Sequence, residues 1–216
     1  MRLFIFLLIL SGYVSVAQKK DTIFLDLKGN EITRSIFKAS LSPVFRAGYG
    51  TRDGRVTAQI FDLEGYFDIT ALEIKELKSE ISALSGQAID SSSILVFDYI
   101  GDYGSCYGNK SHPRDHERRK NMLHRYYRFI KDNQDVKYFF ITQKPNWRHL
   151  SDKLPVVVDI NQYVKKRFFP TADFFCPSVV IVHPLGAYYI HRDEHRIETV
   201  DDVLKTMRAA AAKQKL

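Results

Sequence analysis

The sharpest pattern of apolar and polar positions lies in the last quarter of the chain. Ser178–Val182 is a β-branched apolar run, His183-Pro184-Leu185-Gly186 has turn chemistry, and Ala187–His191 returns with aromatic and apolar residues. That pattern predicts a hairpin. Val200, Val203, Leu204 and Met207 then recur at helical spacing over Thr199–Met207, with Thr199 and Asp202 as an N-cap pair. Upstream, Ile74, Leu77, Ile81 and Leu84 form one face of a helix that starts after Ile69 and stops at Gly86. Ile94-Leu95-Val96-Phe97 and Val136–Ile141 are continuous apolar runs, as expected of central strands covered on both faces. Leu154–Val158 is shorter and predicts a third strand or an irregular edge. Between the first two runs, Met122, Tyr126, Phe129 and Ile130 form the stripe of a long helix from Pro113 to near Asn133. Pro113 suits the first helical turn, where a missing N–H costs nothing.

Residues 18–68 carry weaker patterns. Thr22–Leu27, a Lys28-Gly29-Asn30 turn and Glu31–Thr33 predict a strand and turn, and Ser35–Ser40 a helical turn. Tyr49–Gly54 has loop chemistry, Val56–Leu63 alternates as a strand does, and Glu64-Gly65 closes a turn. This part is expected to be a β-rich extension that packs on, or partly joins, the main domain at 69–216. It shows no catalytic spacing, repeat or low-complexity tract.

The first residues change the picture. Met1-Arg2, the apolar run Leu3–Leu10 and the small residues of Ser15-Val16-Ala17 have the layout of a secretory signal peptide over residues 1–17. The run is too short to span a membrane. The expectation is a soluble exported protein, periplasmic or secreted, without stable membrane insertion once the leader is removed. With 216 residues and 45% hydrophobic content, the chain can bury a core. The net charge of +7 clusters at Arg114–Lys131, at Lys165-Lys166-Arg167 and near the C-terminus. Without a recognisable nucleic-acid module it is expected to be a solvated basic surface and no nucleic-acid site. Two cysteines in an oxidising compartment suit one disulfide or a redox pair.

A helix, strand, helix, strand, then a hairpin entered by Pro177 and followed by a helix, resembles the thioredoxin-like superfamily from Ile69 to Met207. The fold class expected is α/β, a thioredoxin-like three-layer sandwich with a central mixed sheet flanked by helices and the N-terminal β-rich extension. The resemblance implies that Pro177 is a cis-proline facing the functional site, with Cys176 beside it. The family places Cys-x-x-Cys after the central strand. Here the chain continues Asp98-Tyr99-Ile100-Gly101-Asp102-Tyr103-Gly104-Ser105-Cys106, so the motif is degenerate. Tyr103 stands where the attacking cysteine belongs and Cys106 where the resolving one does. A tyrosine hydroxyl does not perform thiol exchange.

The roles of Cys106 and Cys176 stay open at this point. A structural disulfide between them would close a loop of ~70 residues and add roughly a few kcal/mol. They could instead cycle as an atypical catalytic pair, or remain thiols without a role. A metal held with His183, His191 or His195 lacks the short two-cysteine motif of copper-handling relatives. His191 and His195, four apart, fall at a strand end where no shared face is assured. No metal and no cofactor is expected. Asp102 with His112 or His116 is a weak acid/base pairing, Asn109-Lys110-Ser111 a glycosylation sequon, and Trp147 a packing residue. No nucleophile elbow, phosphate loop or Cys-His-Asn order is present. The expected function is a non-catalytic binding or structural module with a groove lined by Tyr103, Gly104, Ser105 and Pro177. Its partner would be another exported protein or peptide. The alternative is an atypical thiol-disulfide oxidoreductase with Cys106 and Cys176 catalytic.

Overall fold

A computed structural model of the chain describes residues 22–52, 54–100, 113–143, 154–169, 178–193 and 195–214, without the side chains of 52, 113–120, 122 and 214. The chain is mixed α/β, with two mixed sheets and five helices among the described residues. Strands β1 (Ile23–Leu25) and β2 (Glu31–Ile32) are joined by a turn that Asp26 organises. Its Oδ1 accepts from the Lys28 and Asn30 amides, each at 2.8 Å. Helix α1 (Arg34–Ser40) is capped by Thr33, whose side chain accepts from the Ile36 amide. Strands β3 (Phe45–Arg52) and β4 (Arg55–Asp62) pair antiparallel, and β1 runs parallel to β4, giving the order β2-β1-β4-β3. Phe37 of α1 packs on Ala58 and Ile60 to form the core of this small sheet.

Two stretches of the extension differ from expectation. Tyr49–Arg52 is the end of β3, not a loop. Gly48 and Gly50 blur the alternation, but their register partners Gln59 and Thr57 in β4 hold the backbone extended. Glu64-Gly65 opens strand β5 (Glu64–Asp68) instead of closing a turn. Its partner lies more than a hundred residues downstream, so no local pattern reports it. Leu63 is the crossing point between the sheets: its amide donates to Val44 O at 2.9 Å and its carbonyl accepts from Arg192 at 2.7 Å.

Helix α2 (Ala71–Ser85) follows, with a capping box in which Thr70 and Glu73 satisfy each other's backbone amides. Gly86 ends it in the left-handed conformation at φ +68°. Then come β6 (Ile94–Tyr99), α3 (Pro113–Asp132), β7 (Val136–Thr142), β8 (Val156–Val158), α4 (Tyr163–Phe168), β9 (Ser178–His183), β10 (Ala187–His191) and α5 (Ile197–Gln214). Helix α5 begins before Thr199, whose amide already donates to Arg196 O at 3.0 Å. Thr199 is therefore inside the first turn and is no N-cap; burial of Ile197 in the core draws the helix start forward.

The large sheet has the order β5-β10-β9-β6-β7-β8. Strands β6, β7 and β8 are parallel, while β9 is antiparallel to β6, β10 to β9, and β5 to β10. Each face carries its own core. Leu95, Phe97, Tyr99, Phe139, Ile141, Val180 and Val182 meet Leu77 and Ile81 of α2 and Val164 and Phe168 of α4. Val96, Tyr138, Phe140, Val179 and Ile181 meet Tyr126 of α3 and Val200, Leu204 and Met207 of α5. Both faces being covered, β6 and β9 are buried along their whole length, which is why they read as unbroken apolar runs.

Candidate functional site

The carboxyl ends of the parallel strands share one end of the large sheet, where ligands of open α/β sheets commonly bind. β6 ends in Tyr99, β7 in Thr142 and β8 in Val158, while antiparallel β9 begins there with Ser178 and β5 with Glu64. Tyr99 and Ser178 are register partners. Buried polar residues gather at this end: Asp98, Thr142, Ser178 and, directly after β8, Asp159. Asp159 accepts from the amides of Tyr163 and Lys165 and so anchors the start of α4.

One row below Tyr99, Asp98 faces the layer of α3 and α5. Its register partners are Val179 and Phe140, so the carboxylate is set among apolar strands. Two groups answer it. The Tyr138 hydroxyl donates to Asp98 Oδ2 at 2.8 Å, and His195 Nε2 lies 3.4 Å from the same oxygen. The His195 and Asp98 side chains are only 2% and 6% exposed. Burial, reinforced by the Asp98 carboxylate, pushes the Tyr138 phenol well above its ordinary range, so it stays a proton donor. Tyr126 meets Tyr138 edge-on at 5.6 Å and closes the cluster from α3. His195 precedes α5, so the cluster ties the entry of that helix to the central strand.

A second polar group borders the first at the same end. His191 Nδ1 lies 3.2 Å from Glu64 Oε2, and the Tyr189 hydroxyl bonds to the same oxygen. These contacts, Tyr189 first, hold the Glu64 carboxyl below its usual range, while burial and Glu64 raise Tyr189. The His191 and His195 rings are 6.4 Å apart, each turned to its own carboxylate. Among the described residues no three His, Cys, Asp or Glu side chains are placed to hold a metal. His183 stands at the far end of β9, where its Nδ1 accepts from the Leu185 amide at 3.2 Å in the hairpin turn.

Tyr103, Gly104, Ser105, Cys106, Cys176 and Pro177 lie outside the described residues, as do the leader, Asp102, the Asn109 sequon, His112, the His116 side chain and Trp147. What is described is the pair of roots from which the two site-bearing segments continue, Ile100 and Ser178. Asp98, Tyr138 and Glu64 were missed from sequence. Asp98 had a signal, being the one acid within the otherwise apolar and aromatic run Ile94–Ile100. Tyr138 had none, because a tyrosine in a core strand is ordinary.

No protein-family model, no curated protein and no solved structure matches this chain. As built, the Asp98 cluster is sealed from solvent and suits positioning better than turnover: it fixes the last rows of β6 and the start of α5. No described helix is long and apolar enough to cross a membrane.

Proposed function

We propose that this chain is an exported thioredoxin-like protein working as a binding module at the carboxyl end of β6 and β7. Tyr103, Gly104, Ser105 and Pro177 would line its groove. The observation that carries this is the pairing of Tyr99 with Ser178. It sets the root of the segment bearing residues 103–106 beside the root of the one bearing Cys176 and Pro177. The element order also supports a thioredoxin-like sandwich: a parallel pair β6 and β7, an antiparallel hairpin β9 and β10 beside it, and helices on both faces. Loss of the attacking cysteine position to Tyr103 favours binding over thiol exchange.

The same pairing favours one second reading, an atypical oxidoreductase. Cys106 is six residues past Ile100 and Cys176 two before Ser178. At about 3.3–3.6 Å per residue, these tethers are long enough for the two sulfurs to meet. The test is reduction of a disulfide substrate by the purified mature protein and by Cys106→Ser, with thiol states followed by differential alkylation and mass spectrometry. A binding module shows no turnover in either thiol state. Turnover abolished by Cys106→Ser would overturn that assignment in favour of the oxidoreductase.

A further inference from the structure

Strand β5 closes the large sheet on the β10 side, and among the described residues no strand lies beyond it. Two backbone bonds fix which of its groups face outward. Arg192 donates its amide to Leu63 O at 2.7 Å, and Ile69 donates to Gly186 O at 2.8 Å. With the register Glu64↔His191 through Asp68↔Ala187, the hydrogen-bonded rows are those of Leu63, Gly65, Phe67 and Ile69. The intervening residues, Glu64, Tyr66 and Asp68, therefore turn their N–H and C=O groups to the open edge. These are unpaired ladder groups of the kind that recruit an added strand.

The side chains on this edge specify the recruit. Tyr66 is 54% and Phe67 37% exposed, although each is one end of an aromatic ladder. Tyr66 packs on Tyr189 at 5.0 Å, on the face of α5. Phe67 stacks on Tyr188 at 5.2 Å on the other face, and Tyr188 meets Phe168 edge-on at 5.4 Å. Both ladders stop at β5 with open ring surface. Glu64 and Asp68 flank Tyr66 on its own face, making this edge acidic in a chain whose net charge is +7. A second copy fits poorly: antiparallel self-pairing centred on Tyr66 sets each Glu64 against Asp68 of the other copy, and like charges directly opposite are destabilising.

We propose that the free edge of β5 binds an extended, cationic segment of another polypeptide by strand addition. The segment carries basic residues opposite Glu64 and Asp68, an aromatic residue opposite Tyr66, and apolar residues between them facing Phe67. This surface runs along the side edge of the sheet, with Glu64 at the end where β6 and β7 finish and Asp68 at the other, and does not depend on the thioredoxin-like assignment.

The probe is the peptide Thr-Lys-Val-Tyr-Val-Lys-Thr with blocked ends, titrated against the full chain by fluorescence anisotropy. Exchanging both lysines for glutamates is expected to weaken binding at least tenfold, and raising salt to weaken the lysine peptide. N-methylating the peptide amides that face Glu64, Tyr66 and Asp68 is expected to abolish binding with side chains unchanged. In the protein, Asp68→Lys is expected to weaken binding tenfold. Tyr66→Pro, which removes an outward N–H and leaves the bonds to β10, is expected to abolish it, while Tyr66→Ala, which loses the same ring contact with Tyr189 but keeps the N–H, still binds. Equal binding of the glutamate or N-methylated peptides, or no binding of the lysine peptide, would overturn the proposal. So would a dimer that Tyr66→Pro converts to monomer, since a second copy would then be the occupant.

Discussion

The Tyr138 hydroxyl donates a 2.8 Å hydrogen bond to Asp98 Oδ2 across two neighbouring parallel strands, at a place sealed from water. A buried carboxylate is tolerated only with such partners, and removing one leaves the desolvation penalty uncovered. Tyr138→Phe is expected to lower stability by about 1–3 kcal/mol, the cost of leaving a buried acceptor without its donor. Asp98→Ala, which removes the oxygen that faces both Tyr138 and His195 and leaves space in a packed site, is expected to cost more than Tyr138→Phe. Urea unfolding of both variants checks this order, and an unchanged midpoint for Tyr138→Phe would remove the cluster from the stability account.

Glu73 carries the acid sensitivity of the α2 cap. Its hydrogen bonds to the Thr70 side chain and amide, with the Arg167 guanidinium at 2.7 Å, lower its carboxyl from 4.5 to about 2. A folded value below the unfolded one gives stability that is fully present above about pH 4.5 and lost as pH falls toward 2. Glu73→Gln is expected to flatten the acid limb of a thermal-midpoint profile in that window, with little change in the profile's shape near pH 7. A variant profile parallel to the parent through the window would show that the contact is not made in solution.

The two faces of α2 are expected to respond very differently. Leu77 is fully buried between the helix and the large sheet, so Leu77→Ala should cost roughly 2–5 kcal/mol by transfer and cavity terms. Leu72, exposed on the same helix, should change stability by no more than about 0.5 kcal/mol when replaced by alanine. Denaturant melts of the pair test whether α2 sits on the sheet in this orientation.

Two glycines separate conformational strain from steric strain. At Gly86, φ is +68° and an added Cβ meets nothing within 4 Å, so Gly86→Ala is expected to cost about 1 kcal/mol from the left-handed backbone alone. At Gly186, φ is +100° and the Cβ would come within 3.0 Å of Ile69 O, whose residue also donates to Gly186 O. Gly186→Ala is expected to cost clearly more. Equal losses in thermal unfolding would mean that the hairpin turn yields freely to the new methyl.

The sequence by itself determined the elements whose signals are local. An apolar stripe and a closing Gly86 specify α2 wherever it packs; β-branched runs at Val136–Ile141 and Ser178–Val182 specify strands that must be covered on both faces. The Pro-Leu-Gly turn after His183 specifies the hairpin for the same reason, since His183 itself accepts from the amides of Leu185 and Gly186. What only the tertiary structure decided is where distant partners meet. Glu64-Gly65 reads as a turn until β10 supplies its ladder, and Tyr49–Arg52 as a loop until β4 does. Asp98 reads as a defect in an apolar strand until Tyr138 from the next strand and His195 from the entry to α5 converge on its carboxylate. Hydrogen-bond satisfaction of a buried group is a property of the folded neighbourhood, and no spacing along the chain encodes it.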